Sequence, residues 1–236
     1  MFEYSVLDFF AGGGGCGAGY ARTGAYVLGC DIKPQPKNPH HFIKADWREL
    51  LYLAQHFDLL HASPPCQAYT KACKQWRKEG YQYQDLIAEV REAFMKTGKP
   101  YIIESVPGAP LIDPIVLNGS KFGLLVHRPR FFECSFPVVQ PHIPETRQSV
   151  KMGRPVSEGD IIQPVGHFSG VAYAQKQMEI DWLGQKELAQ AIPPAYTEWL
   201  GYRFKEWAAS NNRLQGTCYA QGNAADFTNS GDVQSE

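Results

Sequence analysis

The sequence lacks any C-x-x-C pair. Its six cysteines are scattered at positions 16, 30, 66, 73, 134 and 218, so a clustered structural zinc site is not expected. Charge of either sign is not in excess: 23 basic against 24 acidic side chains leave a net charge of −1, so a nucleic-acid partner would have to meet a local patch and not a global positive field. No apolar run approaches the ~18 residues that cross a bilayer, which excludes a helical membrane span. A charged-then-apolar leader is missing too, since "MFEYSVLDFFAGGGG" enters a strand at once. The expectation is a cytoplasmic monomer with reduced thiols and no bound metal. Internal repeats are also missing. A hydrophobic fraction of 44% over 236 residues is ample for one packed core with a small appendage.

Short apolar strands alternate with helices. "EYSVLDFFAGGGGCGAGYARTGA" reads as strand, glycine turn and helix, and "AYVLGCDIK" as a second strand ending in an acid. "FDLLHASPP" is an apolar run with a proline stop, and "PYIIESVPG" is another short buried strand. In "DLIAEVREAFMKTGKP", Leu86, Ile87, Val90 and Phe94 share one helical stripe before a Gly-Lys-Pro stop. This alternation predicts an α/β fold, Rossmann-like, with a mostly parallel sheet and crossover helices. After Cys134 the periodicity fades. The expected organisation is a core over 1–133, a small irregular or β-rich insert over 134–180, a helix returning to the core over 181–215 and a disordered tail over 216–236.

Four motifs carry chemistry. The glycine run that begins at Gly12, Gly13 and Gly14 follows a strand and opens a helix, so a ligand can approach its backbone closely. Asp31 ends the next strand, 23 residues after Asp8, where an acid can accept from ribose hydroxyls. Asp46 in "KADW" is placed to accept from an adenine amine. These features indicate a nucleoside cofactor but do not separate NAD from S-adenosylmethionine. The second motif, "SPPCQAYT", sits at the carboxyl end of a strand, where open α/β sheets build their sites. Its prolines fix φ and hold the Cys66 thiol rigid, and the cations that follow favour a thiolate. Third, Glu104 follows a buried strand, and a carboxyl backed by hydrophobes resists ionisation and can act as a general acid. Fourth, Arg128 and Arg130 in "HRPRFFE" alternate on an extended segment and therefore point the same way. Each has a plain alternative: a tight turn, an inert core cysteine, a structural ion pair and a surface arginine pair.

In this order, "LDFFAGGGG", "GCDIKPQ", "KADW", "SPPCQAYT", "IIESVPGAP", "VHRPRFFE" and "QAIPPAYTEWLG" resemble the C5-cytosine DNA methyltransferases, and in particular short phage-type members. The resemblance spans residues 7 to 201 and implies a methyl donor, S-adenosylmethionine. It implies that Gly12 and its neighbours receive the cofactor's methionine end, Asp31 its ribose and Asp46 its adenine, with Asp8, Phe9, Ala11, Gly13, Gly14, Ile32, Trp47 and Pro64 also lining the cofactor. It further implies that Cys66 attacks C6 of a flipped-out cytosine, Glu104 meets N3 and the exocyclic amine, Arg130 grips O2, and Arg128 supports Arg130 or binds phosphate. Double-stranded DNA would be the partner, in the host cell's cytoplasm for a phage-encoded chain. Gln67, Lys71, Lys74, Arg77 and Lys78 would line its phosphates, and Arg147, Gln148, Lys151 and Arg154 of the insert would read base edges. Trp76 or a tyrosine of "GYQYQ" would fill the hole left by the base.

Two departures stand out. Ser105 replaces the asparagine of the usual Glu-Asn-Val, which leaves a roomier donor pocket and the option of a modified donor. Val126 replaces a glutamine. An inactive relative that binds cofactor or DNA, an NAD-dependent oxidoreductase with a redox cysteine, and a transferase acting on free nucleotide or RNA remain the alternatives.

Overall fold

In a computed structural model of the chain, residues 2–70, 73–144, 148–150 and 154–214 are described, with backbone only for Lys74 and Arg77. Seven strands form one sheet: β1 (Tyr4–Phe9), β2 (Ala25–Asp31), β3 (His41–Lys44), β4 (Leu59–Ala62), β5 (Tyr101–Ser105), β6 (Ile115–Leu117) and β7 (Arg130–Cys134). Their order is β3-β2-β1-β4-β5-β7-β6. All neighbours are parallel except β7, which runs antiparallel to both β5 and β6. The strands read from "YSVLDF", "AYVLGCD", "LLHA" and "YIIES" are thus all in the sheet, and the α/β reading holds.

Strand period decides which side each residue serves. Tyr4 and Val6 of β1 pack with Ile102, with Cys16 and Tyr20 of α1 (Gly15–Arg22), and with Tyr196, Leu200 and Phe204 of α6, the 17-residue helix Pro194–Ser210. Leu7 and Phe9 point to the opposite side. There they meet Leu28, Leu60, Ile103, Val90 and Phe94 of α3 (Ile87–Thr97), together with Trp47, Leu50 and Leu53 from a run of 3₁₀ turns, Trp47–His56. Gly98, with φ of 67°, ends α3 in the left-handed conformation that favours glycine. Asp8, His61 and Glu104 belong to the first side by the same alternation.

The region after Cys134 adds no strand to the sheet among the described residues. It closes on a core of its own. Ile162, Phe168, Ala174, Met178, Ile180, Leu183 and Leu188 gather around Val126, using α4 (Val171–Met178) and α5 (Gln185–Leu188). The one bridge there pairs Val126 with Ile162. The expected irregular or β-rich insert therefore contains helix, and its apolar cluster runs beyond residue 180 to Leu188. The tail over 216–236 lies outside the described residues. No described helix is long and apolar enough to cross a membrane.

Candidate active site

The glycine turn lies between β1 and α1. Gly12 has φ of 49°, and a Cβ added there would meet nothing within 4 Å, so its face is open to a ligand. Asp31, at the end of β2, stitches the turn: one carboxylate oxygen accepts from Gly12 N–H at 3.2 Å and the other from Lys33 N–H at 2.9 Å. Asn38, which sequence reading missed, donates to the Gly12 carbonyl at 3.0 Å. Trp182 donates its indole N–H to the Gly13 carbonyl at 2.8 Å, so the segment after α4 rests on the turn. Neither contact has a local signal, because the partners are 26 and 169 residues away.

Asp8 is the most exceptional group. It is 1% exposed, and its carboxylate oxygens meet no well-formed hydrogen-bond donor among the described residues, the Cys16 thiol being the polar group that lowers its pKa. Burial, reinforced by the Asp31 charge, pushes its pKa up to about 8. The ligand atoms of Asp8, Cys16 and His61 lie within 4.8 Å of one another. Both His61 nitrogens are already engaged, by Tyr20 and Ser63, so a cation there would have to displace one of these hydrogen bonds.

The other cofactor candidates divide by exposure. Ile32 is exposed and Gly13 half-buried, while Ala11, Gly14 and Pro64 are buried around the same strand ends. Phe9 is fully buried, with its ring against Phe94 and Trp47, so its side chain is core. Trp47 is 5% exposed and lies under the Arg48 guanidinium at 5.0 Å. Asp46 caps the 3₁₀ run by accepting from Arg48 N–H at 2.9 Å, and it also pairs with the Arg48 side chain at 3.2 Å. Asp46 thus already has a structural duty.

At the ends of β4 and β5 the reactive candidates meet. Glu104 is 6% exposed, and Arg130 Nε stands 3.0 Å from its Oε1. The pairing of Glu104 with Phe132 puts Arg130, two residues before Phe132, on the same face of the antiparallel ladder as the carboxyl. Burial raises the pKa of Glu104, while Arg130, Arg128 and a hydrogen bond from Ser63 pull it down. Cys66 begins a turn two residues beyond Pro64, its carbonyl accepting from the N–H groups of Tyr69 and Thr70. Burial and the Glu104 charge push its thiol up, and Arg130 and Arg128 pull it down. Thiol, carboxyl and guanidinium therefore act on one another. The expected activation of Cys66 by neighbouring cations is outweighed here by burial.

Arg128 departs from its partner. It is 1% exposed, and its two terminal nitrogens donate to the carbonyls of Pro164 and Ala189 at 2.7 and 2.8 Å. Its N–H donates to Asn118 at 2.7 Å, and its carbonyl accepts from Tyr196 at 2.8 Å. This guanidinium bolts the insert's core to the sheet. Being buried and so engaged, it presents no surface to a phosphate. The position of Val126 follows from the same junction: it is fully buried in the insert's core, where a glutamine would need partners. Ser105 is fully buried with its hydroxyl unpartnered among the described residues.

Of the nucleic-acid candidates, Gln67, Lys78, Gln148 and Arg154 are exposed. Lys74, Arg77 and Lys78 belong to α2 (Lys74–Lys78), which carries Trp76, 52% exposed and edge-on to Tyr81 at 5.7 Å. Lys71, Arg147 and Lys151 lie outside the described residues, as do the side chains of Lys74 and Arg77.

No protein-family model and no curated protein matches the chain. Solved structures do. The methyltransferase EhMeth of Entamoeba histolytica superposes with a TM-score of 0.57 at 16% identity, covering 87% of this chain and 99% of that one. A mutant of Spodoptera frugiperda DNMT2 also gives a TM-score of 0.57, at 11% identity, over 86% of this chain and 99% of the other. The fold of this protein is the Rossmann-like one of those two structures.

Proposed function

We propose that the protein transfers a methyl group from S-adenosylmethionine to C5 of cytosine in double-stranded DNA, through a covalent adduct between Cys66 and C6 of a flipped-out base. The observation that carries this reading is the meeting of Cys66, Glu104 and Arg130 at the carboxyl ends of the central strands β4 and β5, beside the open glycine turn after β1. EhMeth and DNMT2, which share the fold, add support.

The residues around the turn fit the cofactor. Gly12 leaves space, and Asp31 stands at the strand end where ribose hydroxyls are met, while Asp8 lies buried beneath the turn. When bound, S-adenosylmethionine supplies an electrophilic methyl. C5 of cytosine is too weak a nucleophile to take it unaided. Attack of the Cys66 thiolate on C6 makes C5 enamine-like and splits one hard step into two easier ones. Protonated Glu104 donates to N3 and disperses the charge that develops there. Arg130, 3.0 Å from that carboxyl, reaches the ring's O2 from the same side. C5 gains the methyl and gives up its proton to water, N3 returns its proton to Glu104, and the electrons of the C5–H bond re-form the ring double bond as Cys66 leaves as a thiolate. The base must leave the duplex for any of this. Gln67, Lys71, Lys74, Arg77 and Lys78 would hold the backbone, and Arg147, Gln148, Lys151 and Arg154 of the insert over 134–180 would read the target site.

Duplex DNA carrying 5-fluorocytosine tests the reading, because its C5 substituent cannot leave as a proton. With S-adenosylmethionine present, a covalent protein–DNA complex is expected, and it should vanish in Cys66→Ser. No complex, with labelled methyl appearing on free nucleotide or RNA instead, would overturn the DNA assignment.

A further inference from the structure

A buried line of polar groups ends at Glu104, and the function proposed above does not use it. Tyr20 Oη lies 2.9 Å from His61 Nδ1, and His61 Nε2 lies 3.2 Å from Ser63 Oγ. Ser63 stands beside Glu104 and helps to hold its pKa down. Register brings them together. Asp8 of β1 pairs with His61 of β4, and Ala62 pairs with Ile103, so the next step sets Ser63 beside Glu104. His61, Ser63 and Glu104 therefore share the face that α1 covers, and Tyr20 is the α1 side chain above them. Tyr20 and His61 are fully buried.

Hydrogen-bond capacity gives the line a direction. A buried phenol O–H needs an acceptor, and His61 Nδ1 is the partner at hand. A neutral imidazole has one donor and one acceptor. If Nδ1 accepts, Nε2 carries the hydrogen and donates to Ser63 Oγ, which leaves the serine proton for the carboxyl. The other tautomer would draw that proton to Nε2, strand the phenol hydrogen and take from Glu104 its donor. Burial pushes the pKa of His61 down to about 3, so the ring stays neutral.

We propose that Tyr20, His61 and Ser63 form a one-way chain of hydrogen-bond donors that orients the Glu104 carboxyl toward the substrate ring, with His61 held as the Nε2–H tautomer and Ser63 as the positioning residue. The inference rests on the reading of Glu104 as the group that meets the base. The titratable groups facing Glu104 are Arg130 and Arg128 from β7 and the segment before it, Cys66 from the loop after β4, Asp8 from β1, Cys16 from α1 and Tyr196 from α6. None of them replaces the serine as a neutral donor to a carboxylate on the β4 side.

Two measurements on the full chain test the chain of bonds. Nitrogen NMR with labelled histidine reads the tautomer without any turnover. The His61 signal, assigned by its loss in His61→Gln, should be neutral Nε2–H between about pH 5 and 8 and should change in Tyr20→Phe. The second is the pH profile of single-turnover methyl transfer. Its acid limb reports the lower of two coupled pKa values, that of the carboxyl, when Glu104 must be protonated and Cys66 ionised. Ser63→Ala should slow transfer about tenfold and move the acid limb up by about one unit, because a donor to the ionised form is gone. Ser63→Thr keeps the hydroxyl and should restore both, and Tyr20→Phe should shift the limb in the same direction. A Nδ1–H tautomer, or a Ser63→Ala protein whose acid limb stays in place, would overturn the proposal. A wild-type protein that transfers no methyl to DNA overturns the proposed function, while the tautomer still decides the chain.

Discussion

Asp8 and Glu104 are two acids raised by the same cause, burial, but they are set for different ends. Asp8 has only the Cys16 thiol to offset its burial, so its effect on the apoprotein is a linkage effect. Its folded pKa is raised from 3.8 to about 8. The folded state therefore holds the proton more tightly than the unfolded chain, and this contribution is full at low pH and lost as pH rises through the folded value. Urea unfolding without cofactor should show stability falling from about pH 5 to pH 8, with the fall much reduced in Asp8→Asn. Glu104 is compensated by Arg130, and its loss is expected to tell on chemistry more than on folding. Glu104→Gln should keep the fold, judged by its circular dichroism, and lower the single-turnover rate by about a hundredfold or more. The placement of Cys66 and Glu104 at strand ends was legible in the sequence, because each lies at the end of an apolar run. Tyr20, His61 and Ser63 were not, since the bonds joining Tyr20 to His61 span 41 residues and only strand register brings the pieces together.

Among the elements, the tightest junction is the crossing of α1 on α6. A Cβ at Gly19 would stand 2.1 Å from both the Pro194 carbonyl oxygen and Thr197 Oγ1, and neither can retreat without moving the helix. Gly19→Ala is expected to destabilise the protein by about 2–3 kcal/mol and to lower its melting temperature by about 5–10 °C. A smaller effect in calorimetry would mean that the helices can slide apart. In the sequence Gly19 reads only as part of a glycine run that opens a helix. The strands and α3 were legible because their apolar residues repeat with period and end at proline or glycine. The insert was not, because the partners of Val126 are spread from Ile162 to Leu188 with no period shared among them.

For the molecule as a whole, the question is how the insert and the sheet stay together. Arg128 answers much of it, which no sequence rule for a charged residue would suggest, since arginines are mostly exposed. Arg128→Met should leave the Pro164 and Ala189 carbonyls without their donor and cost about 3 kcal/mol, with amide exchange rising first over the residues around them. Charge placement is the other property at this scale. With a net charge of −1, any grip on DNA must come from local cations. Reversing Lys74 and Arg77 to Glu should weaken duplex binding and make its logarithmic salt slope shallower by about one for each phosphate no longer neutralised. The indole of Trp182 donates to the Gly13 carbonyl, inside the turn assigned to the cofactor. A fluorophore is thus already installed where the donor molecule would dock, and titrating the unlabelled protein while watching its ultraviolet emission would report occupancy directly, with Trp182→Phe removing that residue's share of the response.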